Sequence, residues 1–72
     1  MIKLGRVTRN GINYGIRTVG DGIDIVTPYD EFLEEGVATL DEAIKLIEED
    51  SVDHKYDKIR HPQNKDRVFW PV

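Results

Sequence analysis

From the N-terminus to about residue 27, apolar and polar positions alternate with a period of two, the spacing of a half-buried strand. The β-prone runs Ile2–Arg9, Ile12–Val19 and Ile23–Thr27 are separated by Asn10-Gly11 and by Asp21-Gly22. Both dipeptides accept the positive φ that a two-residue hairpin turn demands. The pattern therefore predicts a three-stranded antiparallel meander. Two-residue turns set Arg9 opposite Ile12, Val7 opposite Tyr14 and Gly5 opposite Ile16, then Gly20 opposite Ile23 and Thr18 opposite Ile25. Val7, Ile12, Tyr14, Ile16, Ile23 and Ile25 then share one face. A three-residue second turn would send Ile23 and Ile25 to the other side, so burial selects the two-residue form. The opposite face collects Ile2, Leu4, Arg6, Thr8, Asn13, Arg17, Val19, Asp24 and Val26. Its aliphatic members call for cover, from the C-terminal segment or from another molecule.

The period changes at Thr39. Thr39-Leu40-Asp41-Glu42 matches a capping box, in which the threonine hydroxyl accepts from an amide of the first turn. Leu40, Ala43, Ile44 and Ile47 follow at helical spacing as one apolar stripe. A helix from about Leu40 to Asp50 follows, packed on the isoleucine face. Its last turn, Glu48-Glu49-Asp50, opposes the helix dipole, and Lys55 and Lys58 are the candidate counter-charges. The segment from Thr27 to Gly36 carries two sets of signals. Thr27, Pro28, the following acids and Gly36 suit a helix of one or two turns. The alternation of Tyr29, Glu31 and Leu33 suits a strand or an irregular arm; the short helix is the preferred reading. Residues 51–66 lack a clean period, and Val68-Phe69-Trp70 before Pro71 reads as an edge strand or ordered tail. The fold class is α+β: a three-stranded meander, one helix on one face and a C-terminal edge segment.

At 72 residues the chain has room for a single small domain. With no cysteine it lacks disulfides and thiolate metal ligands, which fits a cytoplasmic protein. No apolar run approaches the ~20 residues of a membrane span, and no apolar stretch after Met1 reads as a signal peptide. The net charge of −4 conceals a block structure. Residues 1–20 hold Lys3, Arg6, Arg9 and Arg17 with no acid; residues 21–53 hold twelve acids against Lys45; residues 54–72 are again basic.

Candidate chemistry is sparse. Ser51, Asp53 and His54 spell a nucleophilic set, but neighbouring residues rarely converge and no oxyanion-hole motif accompanies them. Asp53, His54, Asp57 and His61 do not follow a recognised zinc spacing, and the glycines form neither a P-loop nor a dinucleotide fingerprint. The expectation is a protein without catalytic residues, cofactor or metal.

Binding is the better-supported class, and three versions of it stand. A protein partner is the leading one, in the manner of the accessory and inhibitor proteins that phages and mobile elements encode at this size. Arg6, Arg17, Phe69 and Trp70 are its candidate contacts at the sheet face or edge, and a homodimer is a variant of the same idea. Nucleic acid is the second, with Arg6 and Arg17 on the outer face and Arg9 at the hairpin corner. Here the order of three strands and a helix opening Thr39-x-x-Glu42-Ala43 resembles the arm-binding N-terminal domains of tyrosine-type integrases, a likeness that implies DNA binding through the sheet. The chain departs from them in its acidic balance, in the Pro28–Gly36 insertion and in the residues that follow the helix. The third version is a mimic of nucleic acid, with Asp41, Glu42, Glu48 and Glu49 as the phosphate-like surface.

Overall fold

The computed structural model describes residues 3–29, 31–54 and 56–70. In chain order the elements are β1 Leu4–Arg9, β2 Ile12–Val19, β3 Gly22–Val26, β4 Phe32–Val37, α1 Leu40–Asp53 and β5 Arg67–Phe69. The strands form one antiparallel sheet in the order β4-β3-β2-β1-β5. The α+β class, the meander at its centre and a strand from the C-terminal segment at the sheet edge are as the sequence suggests; that strand is Arg67–Phe69 and not Val68–Trp70, and β4 is an addition that makes five strands. Ile2, expected at the start of β1, lies outside the described residues, as does the side chain of Val19.

The first hairpin has the expected register, with Arg9 opposite Ile12, Val7 opposite Tyr14 and Gly5 opposite Ile16. Asn10 and Gly11 both take positive φ, 53° and 78°, as a type I′ turn requires. The second hairpin differs from expectation. Its turn is Gly20-Asp21, one residue earlier than Asp21-Gly22, so Thr18 faces Ile23 and Ile16 faces Ile25. Gly20 supplies the positive φ, 59°, and a type II′ turn places glycine first. Gly22 is needed elsewhere. A Cβ on it would sit 2.7 Å from the Gly36 Cα, so only glycine lets β3 and β4 approach this closely. The resulting shift is two residues, and an even shift keeps every side chain on its own face. All six residues of the expected inner face are buried.

The helical reading of residues 27–36 is corrected: residues 27–29 form a turn and β4 begins at Phe32. The cues were sound but served another geometry. Thr27 Oγ1 accepts from the Tyr29 amide at 3.3 Å, so it caps a turn and not a helix. The Thr27 amide closes the connection by donating to the Glu31 carbonyl at 2.8 Å. Gly36, φ 70°, marks an irregularity in the pairing with β3 and not a helix end. Here Leu33 packs against the core and Val37 is buried within it.

Helix α1 crosses the inner face. Thr39 Oγ1 accepts from the Glu42 amide at 3.2 Å, the expected cap. Ala43 and Ile47 are fully buried, and Leu40, Ile44 and Leu46 pack around them against the sheet isoleucines. The helix runs to Asp53, three residues past the expected end, and its last turn carries no base. Of the expected terminal acids, Glu48 now sits a turn earlier and accepts from Arg9 Nε at 3.1 Å, while Lys58 forms no ion pair among the described residues. Lys55 lies outside the described residues. Replacing Ile47, wholly enclosed, with alanine is expected to cost about 2–5 kcal/mol in denaturant unfolding. Val52→Ala, at a position 58% exposed on the same helix, is expected to stay within about 0.5 kcal/mol. Equal losses would place the core elsewhere.

Candidate interaction surface

The surface is defined by where the chain goes after α1. It does not cross the outer face of the sheet. It wraps over the type I′ turn and returns along the β1 edge. Every polar backbone group of that turn which it reaches is bonded: the Asn10 amide donates to Asp66 Oδ1 at 3.0 Å, Arg60 Nε donates to the Asn10 carbonyl at 2.9 Å, and the His61 amide donates to the Gly11 carbonyl at 3.0 Å. The Asn10 side chain donates to Ser51 Oγ at 2.8 Å, and Ser51 donates to the Glu48 carbonyl at 2.9 Å. Ser51 is thus a buried strut between helix and hairpin. Gly11 is enclosed by this wrap, since a Cβ there would meet the His61 carbonyl oxygen at 2.5 Å. Gly11→Ala therefore strains the backbone and collides with backbone, and is expected to destabilise by about 1–3 kcal/mol. Gly15→Ala, whose Cβ would find its nearest neighbour at 3.8 Å, is the control that should unfold close to wild type.

With the C-terminal strand at the edge, the outer face stays open. Strand parity places Leu4, Arg6, Thr8, Asn13, Gly15, Arg17, Asp24, Val26, Arg67 and Phe69 on it. Leu4 is 65% exposed, Phe69 62% and Phe32 47%. Two of its polar clusters are internally satisfied. Thr8, fully buried, donates to Asn13 Oδ1 at 2.6 Å across the strand pair. Asp24, nearly buried, accepts from the Gly36 amide at 3.0 Å and pairs with Arg17 Nε at 3.4 Å. The Arg17 guanidinium in turn lies 5.0 Å from the centre of the Phe32 ring, a cation–π contact. Arg6 and Arg67 have no ion pair among the described residues. They line an open groove of about 570 Å³ together with Leu4, Gly5, Val68 and Phe69.

The candidate residues therefore separate. Arg6 and Phe69 stand together on the groove, opposite one another in the β1–β5 register. Arg17 shares their face but is held by Asp24 and Phe32. Trp70 goes to the inner side, half-buried, its ring over Gly5 and packed against the core. Arg9, expected at an exposed corner, spends its guanidinium on Glu48 and on the Thr8 and Arg67 carbonyls at 2.8 and 3.3 Å. Asp41 and Glu42 are exposed in the first turn of α1, and Glu48 is the partner of Arg9. Glu49 lines a smaller cleft of about 210 Å³ with Leu33, Glu34, Leu46, Asp50 and Asp53. Leu4 was legible as an outer-face residue. Phe32 was missed because its segment reads as a short helix, and Arg67 because the expected edge strand began one residue later, at Val68.

A chain of titratable groups ties the far side together. Tyr14 donates to Asp50 Oδ2 at 2.6 Å, Asp50 Oδ1 lies 3.5 Å from His54 Nε2, and His54 Nδ1 lies 2.6 Å from Asp57 Oδ2. Tyr29 also donates to Asp57, and its ring is tilted against His54 at 5.8 Å. Burial, then the bond to Asp50, pushes the Tyr14 phenol well above its ordinary value. Tyr29 is pushed up to about 12 from 10.0, chiefly by donating to Asp57. The same bond, followed by that to His54, holds the Asp57 carboxyl below 3.8. Among the described residues no three His, Asp or Glu side chains converge as metal ligands would.

Both shifts make stability depend on pH. A lowered carboxyl stabilises the fold above 3.8 and loses that contribution as pH falls through its folded value. A raised phenol contributes below 10.0 and loses its contribution as pH rises from there to about 12. Thermal midpoints should therefore decline on both flanks. In Tyr29→Phe both declines should shrink but persist, since His54 still holds Asp57 and Tyr14 still titrates late. Superimposable profiles for the two proteins would contradict the network.

No protein-family model, no curated protein and no solved structure matches the chain. The likeness to integrase arm-binding domains gains nothing from these comparisons, and β4 stands between its three strands and its helix.

Proposed function

We propose that the protein is a non-catalytic interaction module that docks a protein partner on the outer face of its sheet. The observation that carries this reading is the open groove between β1 and β5, where Leu4, Phe69, Arg6 and Arg67 are all exposed. Aromatic and arginine side chains on a rigid element are the composition of an interface anchor. Strands on both sides hold the groove in shape, so little ordering is required on binding. Among the described residues no helix is long and apolar enough to cross a membrane.

Nucleic acid is less well served by the same face. Arg17 is already paired with Asp24. The aromatic rings Phe32 and Phe69 stand on the two opposite edge strands of the sheet, about 19 Å apart at four strand spacings. That separation does not give successive bases a common stacking platform. The mimic reading loses Glu48 to Arg9 but retains Asp41, Glu42 and Glu49 on the exposed side of α1.

Affinity capture with tagged wild-type protein and surface variants separates the three. Phe69→Ala and Arg6→Glu are expected to lose the captured protein while unfolding like wild type, and Glu42→Lys with Glu49→Lys to keep it. The reverse pattern would favour the mimic. A salt-sensitive shift of oligonucleotides that disappears in Arg6→Glu would favour nucleic acid and contradict the proposal.

A further inference from the structure

The two edges of the sheet are unlike. β4 breaks register twice against β3 and presents Glu34 and Glu35; irregular, charged edges resist strand addition. β5 is regular. It pairs Phe69, Val68 and Arg67 with Arg6, Val7 and Thr8 without a shift, and its other side faces no strand among the described residues. All three of its residues are exposed. Main-chain groups on such an edge are a template for an extended segment.

The side chains specify what kind of segment. A strand laid beside β5 presents alternate residues to the outer face, next to Arg67 and Phe69. One such residue meets Arg67, which has no counter-charge among the described residues. The one two positions away meets Phe69, with Arg6 and Leu4 behind it across the groove. Every existing pairing in the sheet is antiparallel. In that direction the neighbour of Phe69 precedes the neighbour of Arg67.

We propose that the β5 edge captures an extended peptide carrying an apolar residue followed two positions later by an acidic one, added antiparallel as a further strand. This deepens the outer-face reading and rests on it. The arginines select the acid, and the groove between Leu4 and Phe69 takes the apolar side chain. The ladder supplies affinity without regard to sequence. A cationic peptide is rejected by Arg6 and Arg67 together.

The test uses capped synthetic peptides titrated into the full chain and followed by backbone amide shifts. The first alternates leucine and glutamate at every second position, the second has lysine for glutamate, and the third has prolines in place of the intervening residues. The leucine–glutamate peptide should shift amides of β5 and of β1 and slow hydrogen exchange at Val68. Arg67→Glu should weaken it roughly tenfold and confer binding of the lysine peptide. The proline peptide should not bind, since it cannot donate to a ladder. Shifts confined to β4 or α1, equal binding of the proline peptide, or tighter binding of a single-stranded oligonucleotide at the same residues would each overturn strand addition. If peptides fail while capture of a partner still depends on Phe69 and Arg6, only this inference falls. If capture ignores those residues, the outer-face reading falls with it.

Discussion

One helix can cover one side of a sheet. α1, at 14 residues, is about 21 Å long, close to the roughly 19 Å between the outermost of five strands. It touches β1, β3 and β4 and closes the inner face over Val7, Ile12, Tyr14, Ile16, Ile23 and Ile25. No second helix exists among the described residues to do the same on the other side. The sheet is therefore two-sided in its chemistry. Its inner surface is buried and mostly aliphatic. Its outer surface mixes arginine, aromatic and small polar groups, and the most deeply buried of these, Thr8 and Asp24, are hydrogen-bonded within the sheet.

The type I′ turn links this asymmetry to the C-terminal segment. An ordinary hairpin tip is a free loop. Here Asn10-Gly11 is the socket into which residues 60–66 fit, and its bonds to Arg60, His61, Asp66 and Ser51 join hairpin, wrap and helix end. The wrap delivers Arg67–Phe69 to the β1 edge in register. Had the segment instead crossed the outer face, Leu4 and Phe69 would be core. The open outer face and the fold are thus set by the same few hydrogen bonds at one turn.

Much of this was legible from residue order. Period-two alternation and Asn-Gly chemistry identify the first hairpin to the residue, and Thr39 with the Leu40-Ala43-Ile44-Ile47 stripe identifies the helix. The displaced second turn did no harm, because an even shift preserves faces. Local signals failed where one residue type serves two geometries. Gly36 adopts positive φ at a strand irregularity as readily as beyond a helix end, and Thr27 caps a turn with the bond it would use to cap a helix. Choosing between them depends on a close approach of Gly22 to Gly36, which no local window contains. The same limit hid Arg67 and Phe32, whose placement on the outer face follows from long-range pairing. Trp70 and Phe69 are sequence neighbours, yet strand parity sends one inward and the other out.

The central claim is that α1 and the isoleucine face enclose the core while Leu4, Phe32 and Phe69 stay outside it. A map of nuclear Overhauser contacts among methyl and ring protons reads this directly. Ile47 and Ala43 are expected to show contacts to the buried sheet residues, and Leu4, Phe32 and Phe69 to show none to any residue of α1. Contacts from Leu4 or Phe69 to the helix would place the core on the opposite side of the sheet and contradict the claim.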